Sequence, residues 1–211
     1  MKDENRVQLF GQWAASYDHA VERSGFPFEG YDAVLGAILM CAGIESAHRV
    51  LDVGIGTGNL AHRLAPIGCR IWGVDFSNEM IKRARGRLPN AHFVRADLRA
   101  DWPEALPERS DRIVSGYVFH EFPDDVKLQI IEKLAAHLAP GGRVILGDIA
   151  FPDPDARDAS HREWAAAWDE DEHYWAASSI RPALDARGFD VEYEQISFCS
   201  GVFTLRRAGT R

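Results

Sequence analysis

The feature that most constrains the fold is a glycine-rich turn between a predicted buried strand and a predicted helix. The strand runs from Arg49 to Val53, and the helix begins near Asn59. Between them stand Gly54, Gly56 and Gly58. Glycine takes a positive φ readily and has no Cβ, so a ligand can lie against the main chain of such a turn. The pattern predicts a nucleotide-binding turn at the start of an open α/β sheet.

The spacing and charge around this turn decide which nucleotide it suits. A dinucleotide fingerprint, G-x-G-x-x-G, would need glycine where the chain has Asn59, and the Gly-Lys-Ser/Thr of a phosphate loop is absent. An acid, Asp52, stands two residues before the first glycine. A carboxylate repels pyrophosphate and attracts a cationic group such as an α-amino group, so the turn favours a ligand with a cationic end.

Two more acids end the next two predicted strands. Asp75 closes an apolar run about twenty residues beyond the first glycine, where a carboxylate can accept both hydroxyls of a ribose. Asp97 ends the run from His92 to Ala96, where it can accept from an adenine amino group. The backbone N–H of Leu98 can then serve a ring nitrogen. Together these residues predict a site for an adenine nucleoside.

These residues, in this order and with Leu-Ala-Pro-Gly-Gly at 138–142, resemble the class I S-adenosylmethionine-dependent methyltransferases over almost the whole chain. The segment from Phe10 to Asp18 is similar to the entry helix of the bacterial small-molecule branch, which includes enzymes of ubiquinone and menaquinone biosynthesis. The resemblance implies S-adenosyl-L-methionine as cofactor, S-adenosyl-L-homocysteine as product and a small-molecule acceptor. It also implies cofactor contacts from the three glycines, Phe76 and Met80. Tyr17 would bind the cofactor carboxylate or pack on the sheet edge.

The alternation of predicted strands and helices indicates an α/β fold in one domain, residues 1–211. We expect two entry helices in 1–45, a cofactor-binding core in 46–150, an insertion over the substrate in 152–176, and a final helix and β-hairpin in 177–211. The resemblance implies a Rossmann-like, mostly parallel sheet of seven strands in the order 3-2-1-4-5-7-6. The last hairpin would give this sheet one antiparallel strand.

Several elements beyond the glycine turn have predicted bounds. Strand four is expected at 112–118, and a helix opening at Asp124 is expected to bury Leu138 before Pro-Gly-Gly at 140–142 ends it. Strand five is expected at 143–149. Trp164 and Trp168 are expected on one face of a helix, because they are four residues apart. The last two strands are expected at 190–198 and 202–205.

The composition argues against several partners. A net charge of −8 and a pI near 5.5 disfavour nucleic acid and anionic membrane surfaces, both of which select basic patches. No apolar run is long enough to span a bilayer and Met1–Asn5 does not resemble a signal peptide, so we expect a cytoplasmic protein. Three cysteines without C-x-x-C spacing indicate neither a disulfide framework nor a zinc cluster. A homodimer is one candidate assembly.

His120 and Asp148 are the candidate catalytic residues, because each lies at the end of a central strand, where open α/β sheets bind ligands. With an ordinary pKa near 6.5, His120 would act as a base. Alternatively, its ring would hydrogen-bond the loop backbone or the methionine end of the cofactor. Asp148 would face the methyl-transfer region, or it would be a buried acid that accepts from turn amides.

The remaining candidates concern the acceptor and a metal. Glu121 either orients the histidine or is solvated, and the run 169–172 is either a solvated helix face or a steering surface for a cationic amine. His120, Asp148 and His173 could in principle bind a metal, but nothing has metal-ligand spacing, so no metal is predicted. The cofactor motif also leaves open a binding protein without turnover, or another reaction on this fold. The residues expected to border the acceptor are Trp13, His120, Asp148, His173 and Tyr174.

Overall fold

The structure is a computed structural model that describes residues 19, 21 and 25–209. The predicted entry helix, with Trp13 and Tyr17, therefore lies outside the described residues. The described helices are α1 Tyr31–Ala42, α2 Asn59–Leu64, α3 Asn78–Arg87, α4 Asp124–Ala136, α5 Pro154–Glu163 and α6 Ala177–Asp185, with 3₁₀ turns at Ala65–Ile67 and Phe119–Glu121. The strands are β1 Arg49–Val53, β2 Arg70–Asp75, β3 His92–Arg95, β4 Ser110–Gly116, β5 Leu138–Phe151, β6 Trp175–Ala176, β7 Phe189–Gln195 and β8 Ser200–Arg207.

The strands form a mixed sheet in the order β3-β2-β1-β4-β5-β8-β7. Strands β1 to β5 run parallel, whereas β8 is antiparallel to both β5 and β7. The two-residue strand β6 pairs with the end of β5 and lies off this path. The predicted order 3-2-1-4-5-7-6 is confirmed once β6 is left out of the count. In this order the chain reverses direction across the sheet between β1 and β4, which is where open α/β sheets bind ligands.

Helices cover both faces of the sheet, and neighbouring strand residues supply two separate cores. Val50 belongs to the core with α1 and α2, whereas Leu51 belongs to the core with α4 and α6. Helix α1 lies very close to β5 because Gly147 has no side chain. A Cβ there would lie 2.6 Å from Cδ1 of Ile38. None of the described helices is long and apolar enough to cross a membrane.

The helix predicted to bury Leu138 ends earlier than expected. Helix α4 stops at Ala136, and Leu138 begins β5 by pairing with Ser110. The register then shifts before Arg143 pairs with Arg112, so the Pro-Gly-Gly segment lies in an irregular part of a strand. Leu138 would be buried at the end of a helix or at the start of a strand, and the spacing of apolar residues does not distinguish these two positions. The predicted start of strand five at 143 is therefore wrong.

The two tryptophans of the insertion do not share a helix face, contrary to the prediction. Helix α5 ends at Glu163, so Trp164 caps it and Trp168 follows in irregular chain. Trp164 stacks on Phe198 with ring centroids 5.5 Å apart, and Trp168 stacks on Phe26 at 5.2 Å. Aromatic packing on separate partners, rather than helical periodicity, fixes their positions.

Two other predicted bounds also move. Strand β4 begins and ends two residues before the predicted 112–118. It ends at Gly116 because the next residue, Tyr117, has a φ of 57°, which is not a strand conformation. The last two strands are 189–195 and 200–207, so the connection between them is Ile196–Cys199 rather than 199–201.

Candidate active site

A cavity of about 400 Å³ lies at the carboxyl ends of the central strands. One end, called here the β1–β3 end, is formed by Gly54, Gly56, Asp75, Phe76, Met80, Asp97 and Leu98. The other, called the β4–β5 end, is formed by Phe28, Tyr117, Val118, His120, Glu121, Phe122, Ile149 and Glu172. Five described residues predicted to contact a ligand are not on the cavity wall: Asp52, Gly58, Asp148, His173 and Tyr174.

The glycine turn takes the conformation that its sequence predicts. Gly54, Gly56 and Gly58 have φ values of 69°, 54° and 88°, a region that other residues rarely adopt. A Cβ on Gly54 would lie 2.3 Å from a methyl carbon of Val118, which also lines the cavity. A Cβ on Gly58 would lie 3.2 Å from Leu88 at the end of α3. Gly54 therefore keeps the wall open, whereas Gly58 allows close packing behind it.

Asp75 connects the end of β2 to the glycine turn. Its Oδ2 accepts from the backbone N–H of Gly56 at 3.0 Å, and its Oδ1 accepts from that of Ser77 at 2.8 Å. Burial raises the pKa of the carboxyl group, although these amide donors partly offset the effect. A carboxylate held on the cavity wall by backbone donors fits the predicted acceptor for a ribose.

Asp52 lies beneath the turn rather than on the wall. Its side chain is 1% exposed, and its Oδ2 has no hydrogen-bond partner among the residues that the structure describes. Burial and the nearby charge of Asp75 hold the pKa of this carboxyl well above its usual range. A buried oxygen without a donor fits a cationic ligand group at the adjacent turn. The effect of Asp52 on such a ligand stays a prediction.

The chain after β3 places Asp97 and Leu98 on the cavity wall. The Asp97 carboxylate is already paired with the guanidinium of Arg99. Arg99 donates to it from Nη2 at 2.6 Å, from Nε at 3.0 Å and from its backbone N–H at 2.9 Å. Arg99 also lines the cavity. An adenine amino group would therefore share the carboxylate with this guanidinium, a pairing that the strand pattern did not indicate.

Tyr117 is a wall residue that sequence reasoning missed. It is the one described residue other than glycine with a positive φ, 57°, and such strained backbone is common at functional sites. Its ring stacks on Tyr31 with centroids 5.0 Å apart, and its hydroxyl donates to Ser200 at 3.3 Å. Nothing in the sequence signals a left-handed tyrosine, because packing from distant segments holds it there.

Asp148 does not lie on the cavity wall, and its contacts match the second of the two roles predicted for it. Its Oδ2 accepts from the backbone N–H of Phe119 at 2.6 Å and of His120 at 3.1 Å, and its Oδ1 accepts from Ile149 at 2.7 Å. The side chain is 1% exposed. Neighbouring strand residues point to opposite faces, and Ile149 is the one on the wall. The alternative, a buried acid that accepts from turn amides, describes Asp148.

His120 is held by this buried acid, with Nδ1 2.6 Å from Oδ1 of Asp148. Burial disfavours a charged ring, but the carboxylates of Asp148, Glu172 and Glu121 outweigh it and raise the pKa of His120 to about 9. A raised pKa favours the doubly protonated ring, which donates hydrogen bonds, over the neutral ring that a general base requires. The role of His120 as a base stays a prediction.

Glu172 reaches the wall although its acidic run was interpreted as solvated. Its Oε1 lies 3.7 Å from Nε2 of His120, and the Tyr174 hydroxyl binds the same carboxylate. Burial raises the pKa of Glu172, against the opposing charge of His120. His173 is exposed, and Tyr174 is buried against Phe26 and His120. Neither residue lies on the cavity wall, where their backbone and packing position Glu172. Contact of His173 and Tyr174 with the acceptor stays a prediction.

Comparisons with known proteins identify the family and the fold. Residues 50–142 match the family model described as a methyltransferase domain. An uncharacterized methyltransferase of Geobacillus kaustophilus is 32% identical over 202 residues, which cover 90% of this chain and 91% of the relative.

Solved structures share the fold at lower identity. The complex of DhpI with SAH superposes with a TM-score of 0.74 at 21% identity, covering 98% of this chain and 97% of that one. Magnesium protoporphyrin IX methyltransferase from Synechocystis PCC 6803, with bound SAH, gives 0.75 at 20% identity and covers 98% and 100%. These neighbours show the fold and were crystallised with the same ligand.

Proposed function

The chain belongs to the class I S-adenosylmethionine-dependent methyltransferases, and we propose that it methylates a small molecule bound at the β4–β5 end of the cavity. The observation that carries this proposal is the cavity of about 400 Å³, whose two ends differ in chemistry. That volume is typical of sites for small ligands. The cavity also lies at the strand switch, where the ligands of open α/β sheets bind.

S-adenosylmethionine, when bound, supplies a methyl group that is already activated on a good leaving group. We propose that the β1–β3 end holds this cofactor. The carboxylate of Asp75 would accept from the ribose hydroxyls, and Asp97 and Leu98 would serve the adenine. The absence of a Cβ at Gly54 keeps room for a ligand against the main chain. Phe76 and Met80 offer apolar contacts on the same wall.

The β4–β5 end would orient the acceptor. Phe28, Tyr117 and Phe122 provide an aromatic surface, whereas His120 and Glu172 provide a donor and an acceptor of hydrogen bonds. Positioning of the reacting groups contributes roughly 7–11 kcal/mol in favourable cases, so this end needs no strong base if the acceptor ionises readily. If a proton must leave, Glu172 is better suited than His120, because its raised pKa favours proton uptake.

Other features support a small-molecule acceptor without identifying it. Magnesium protoporphyrin IX methyltransferase, a neighbour in fold, is named for a small-molecule acceptor. The segment 152–176, proposed to cover the substrate, contributes Glu172 to the wall. A homodimer, a cytoplasmic location and the absence of nucleic-acid partners stay predictions.

The test is to incubate purified protein and methyl-labelled cofactor with cell extract, and then to separate small molecules from macromolecules. We expect the label in a small molecule, identified by mass spectrometry. At a cofactor concentration below the wild-type KM, the Asp75→Ala variant should give much less label. Asp101→Asn, an exposed acid away from the cavity wall, is the matched control and should keep activity. Label found only in protein or nucleic acid would contradict the proposal.

A further inference from the structure

We propose that His120, Glu121 and Glu172 bind a divalent transition-metal cation, with open coordination positions that face the cavity. The proposal goes beyond methyl transfer, because the site would exist whatever the acceptor is. The three side chains come from the 3₁₀ turn after β4 and from the chain before β6, and all three line the β4–β5 end.

The candidate ligand atoms are already close together. One nitrogen or oxygen of each side chain lies within 4.8 Å of the other two. Nε2 of His120 is 3.9 Å from Oε1 of Glu121 and 3.7 Å from Oε1 of Glu172. Metal–ligand bonds of about 2.0–2.2 Å place neighbouring ligand atoms roughly 3.0–3.5 Å apart. The two nitrogen–oxygen distances would therefore have to shorten by less than about 1 Å to reach the spacing of bound ligands.

The imidazole is the observation that distinguishes this cluster from a group of surface acids. The His120 side chain is 9% exposed, and its Nδ1 is fixed 2.6 Å from Asp148. Its other ring nitrogen, Nε2, is the atom that lies within 3.9 Å of a carboxylate oxygen of each glutamate. A histidine that donates one ring N–H to a buried carboxylate and presents the other nitrogen to oxygen ligands has the arrangement of a metal-binding histidine.

The surrounding contacts hold the other ligand segment in place. The Tyr174 hydroxyl binds the Glu172 carboxylate, and the His173 backbone N–H donates to the His120 carbonyl at 2.7 Å. The Lys127 ammonium binds the His173 carbonyl and Asp124. The cation site is therefore supported on both sides by hydrogen bonds that fix its ligands.

The charge and the ligand types narrow the choice of ion. A bound cation would displace the second ring proton of His120. The resulting neutral imidazole and the two carboxylates carry a charge of −2, which a divalent cation balances. The imidazole ligand favours Fe²⁺, Co²⁺ or Zn²⁺ over Mg²⁺ and Ca²⁺, which prefer oxygen ligands alone, and the two carboxylates also suit Mn²⁺. Three protein ligands leave positions open, as in catalytic metal sites. Because these positions face the cavity, they would take an oxygen or nitrogen atom of the acceptor.

The experiment is a Mn²⁺ titration of the chelator-treated full chain, without cofactor or acceptor, followed by electron paramagnetic resonance of the free ion. We expect one ion per chain, and at least a 10-fold weaker affinity for both Glu172→Gln and His120→Gln. Glu170→Gln is the matched control, because this exposed acid lies two residues from Glu172 and off the cavity wall. It should bind Mn²⁺ like the wild type.

Thermal unfolding checks that each variant is folded. If His120→Gln is unstable, the Mn²⁺ affinity of Glu172→Gln alone is compared with that of the wild type. No binding at millimolar Mn²⁺, or equal binding by wild type and Glu172→Gln, would overturn the proposal. The two proposals are tested separately. Methyl transfer by the metal-free protein tests the proposed function, and the Mn²⁺ titration tests the metal site.

Discussion

The two ends of the cavity are built in different ways. At the β1–β3 end, the backbone shapes the wall. Glycines without a Cβ line it, and two backbone N–H groups fix the Asp75 carboxylate. At the β4–β5 end, side chains from distant segments hold one another, as His120 does with Asp148 and Glu172. The first end suits one invariant cofactor, whereas the second can change its ligand through single substitutions.

This difference predicts unequal effects of mutation. A wall formed by glycine backbone is disrupted when a side chain is added, because residues other than glycine rarely adopt its positive φ values. A wall formed by side chains loses single interactions when one of them is substituted, while the protein still folds.

Gly54→Ala should have the largest effect. The new Cβ would meet Val118 at 2.3 Å in a backbone with φ of 69°, and strain of this kind costs about 1–3 kcal/mol before the clash is added. We expect a lower thermal unfolding temperature and at least a 100-fold loss of cofactor affinity. Gly36→Ala in α1 is the control, because nothing lies within 4 Å of its Cβ position. An unchanged cofactor affinity in Gly54→Ala would contradict the account of the β1–β3 end as a wall formed by glycine backbone.

Asp75→Ala should raise the KM for the cofactor at least 10-fold and change kcat much less. The proposed ribose contacts differ little between the ground state and the transition state, so their loss weakens both equally. Steady-state kinetics with varied cofactor at saturating acceptor would measure this, once the acceptor is known. A large fall in kcat with an unchanged KM would mean that Asp75 acts on the chemistry and not on binding.

The His120–Asp148 pair should make stability fall with rising pH. Because the pKa of His120 is raised to about 9, the native state binds a proton more tightly than the unfolded state does. The stabilisation is complete below the unfolded pKa of about 6.5 and is lost as pH rises through about 9, with a slope of at most about 1.4 kcal/mol per pH unit.

Urea unfolding of chelator-treated protein from pH 6 to 10 would measure this slope. In Asp148→Asn the main charge that raises the pKa of His120 is gone, so the dependence between pH 6.5 and 9 should be flatter. A wild-type protein whose stability does not change across this window would show that the pair does not hold the ring in its charged form.

Arg99→Ala should have the smallest effect. The Arg99–Asp97 pair is well exposed, with side chains 40% and 38% accessible, and ion pairs of this kind contribute about 0–1 kcal/mol. We expect a small change in unfolding free energy and less than a 5-fold change in cofactor affinity. A large loss of affinity would indicate that the guanidinium binds the cofactor, and that a side chain dominates this end as well.

The β1–β3 end could be predicted from the sequence because its residues follow their strands directly. Gly54, Asp75 and Asp97 stand within one or two residues of a strand end, and parallel strands bring those ends to one edge. The β4–β5 end could not, because Glu172 meets His120 only after the insertion folds. The side on which Asp148 points depends on strand register, which an apolar run does not reveal.

The most direct test of this division is a calorimetric titration of S-adenosylhomocysteine into the wild type, Asp75→Ala and Glu172→Gln. If the β1–β3 end binds the cofactor, Asp75→Ala should weaken binding at least 10-fold, while Glu172→Gln stays within 2-fold of the wild type. The opposite pattern, with a large loss in Glu172→Gln and none in Asp75→Ala, would contradict the assignment of the two ends.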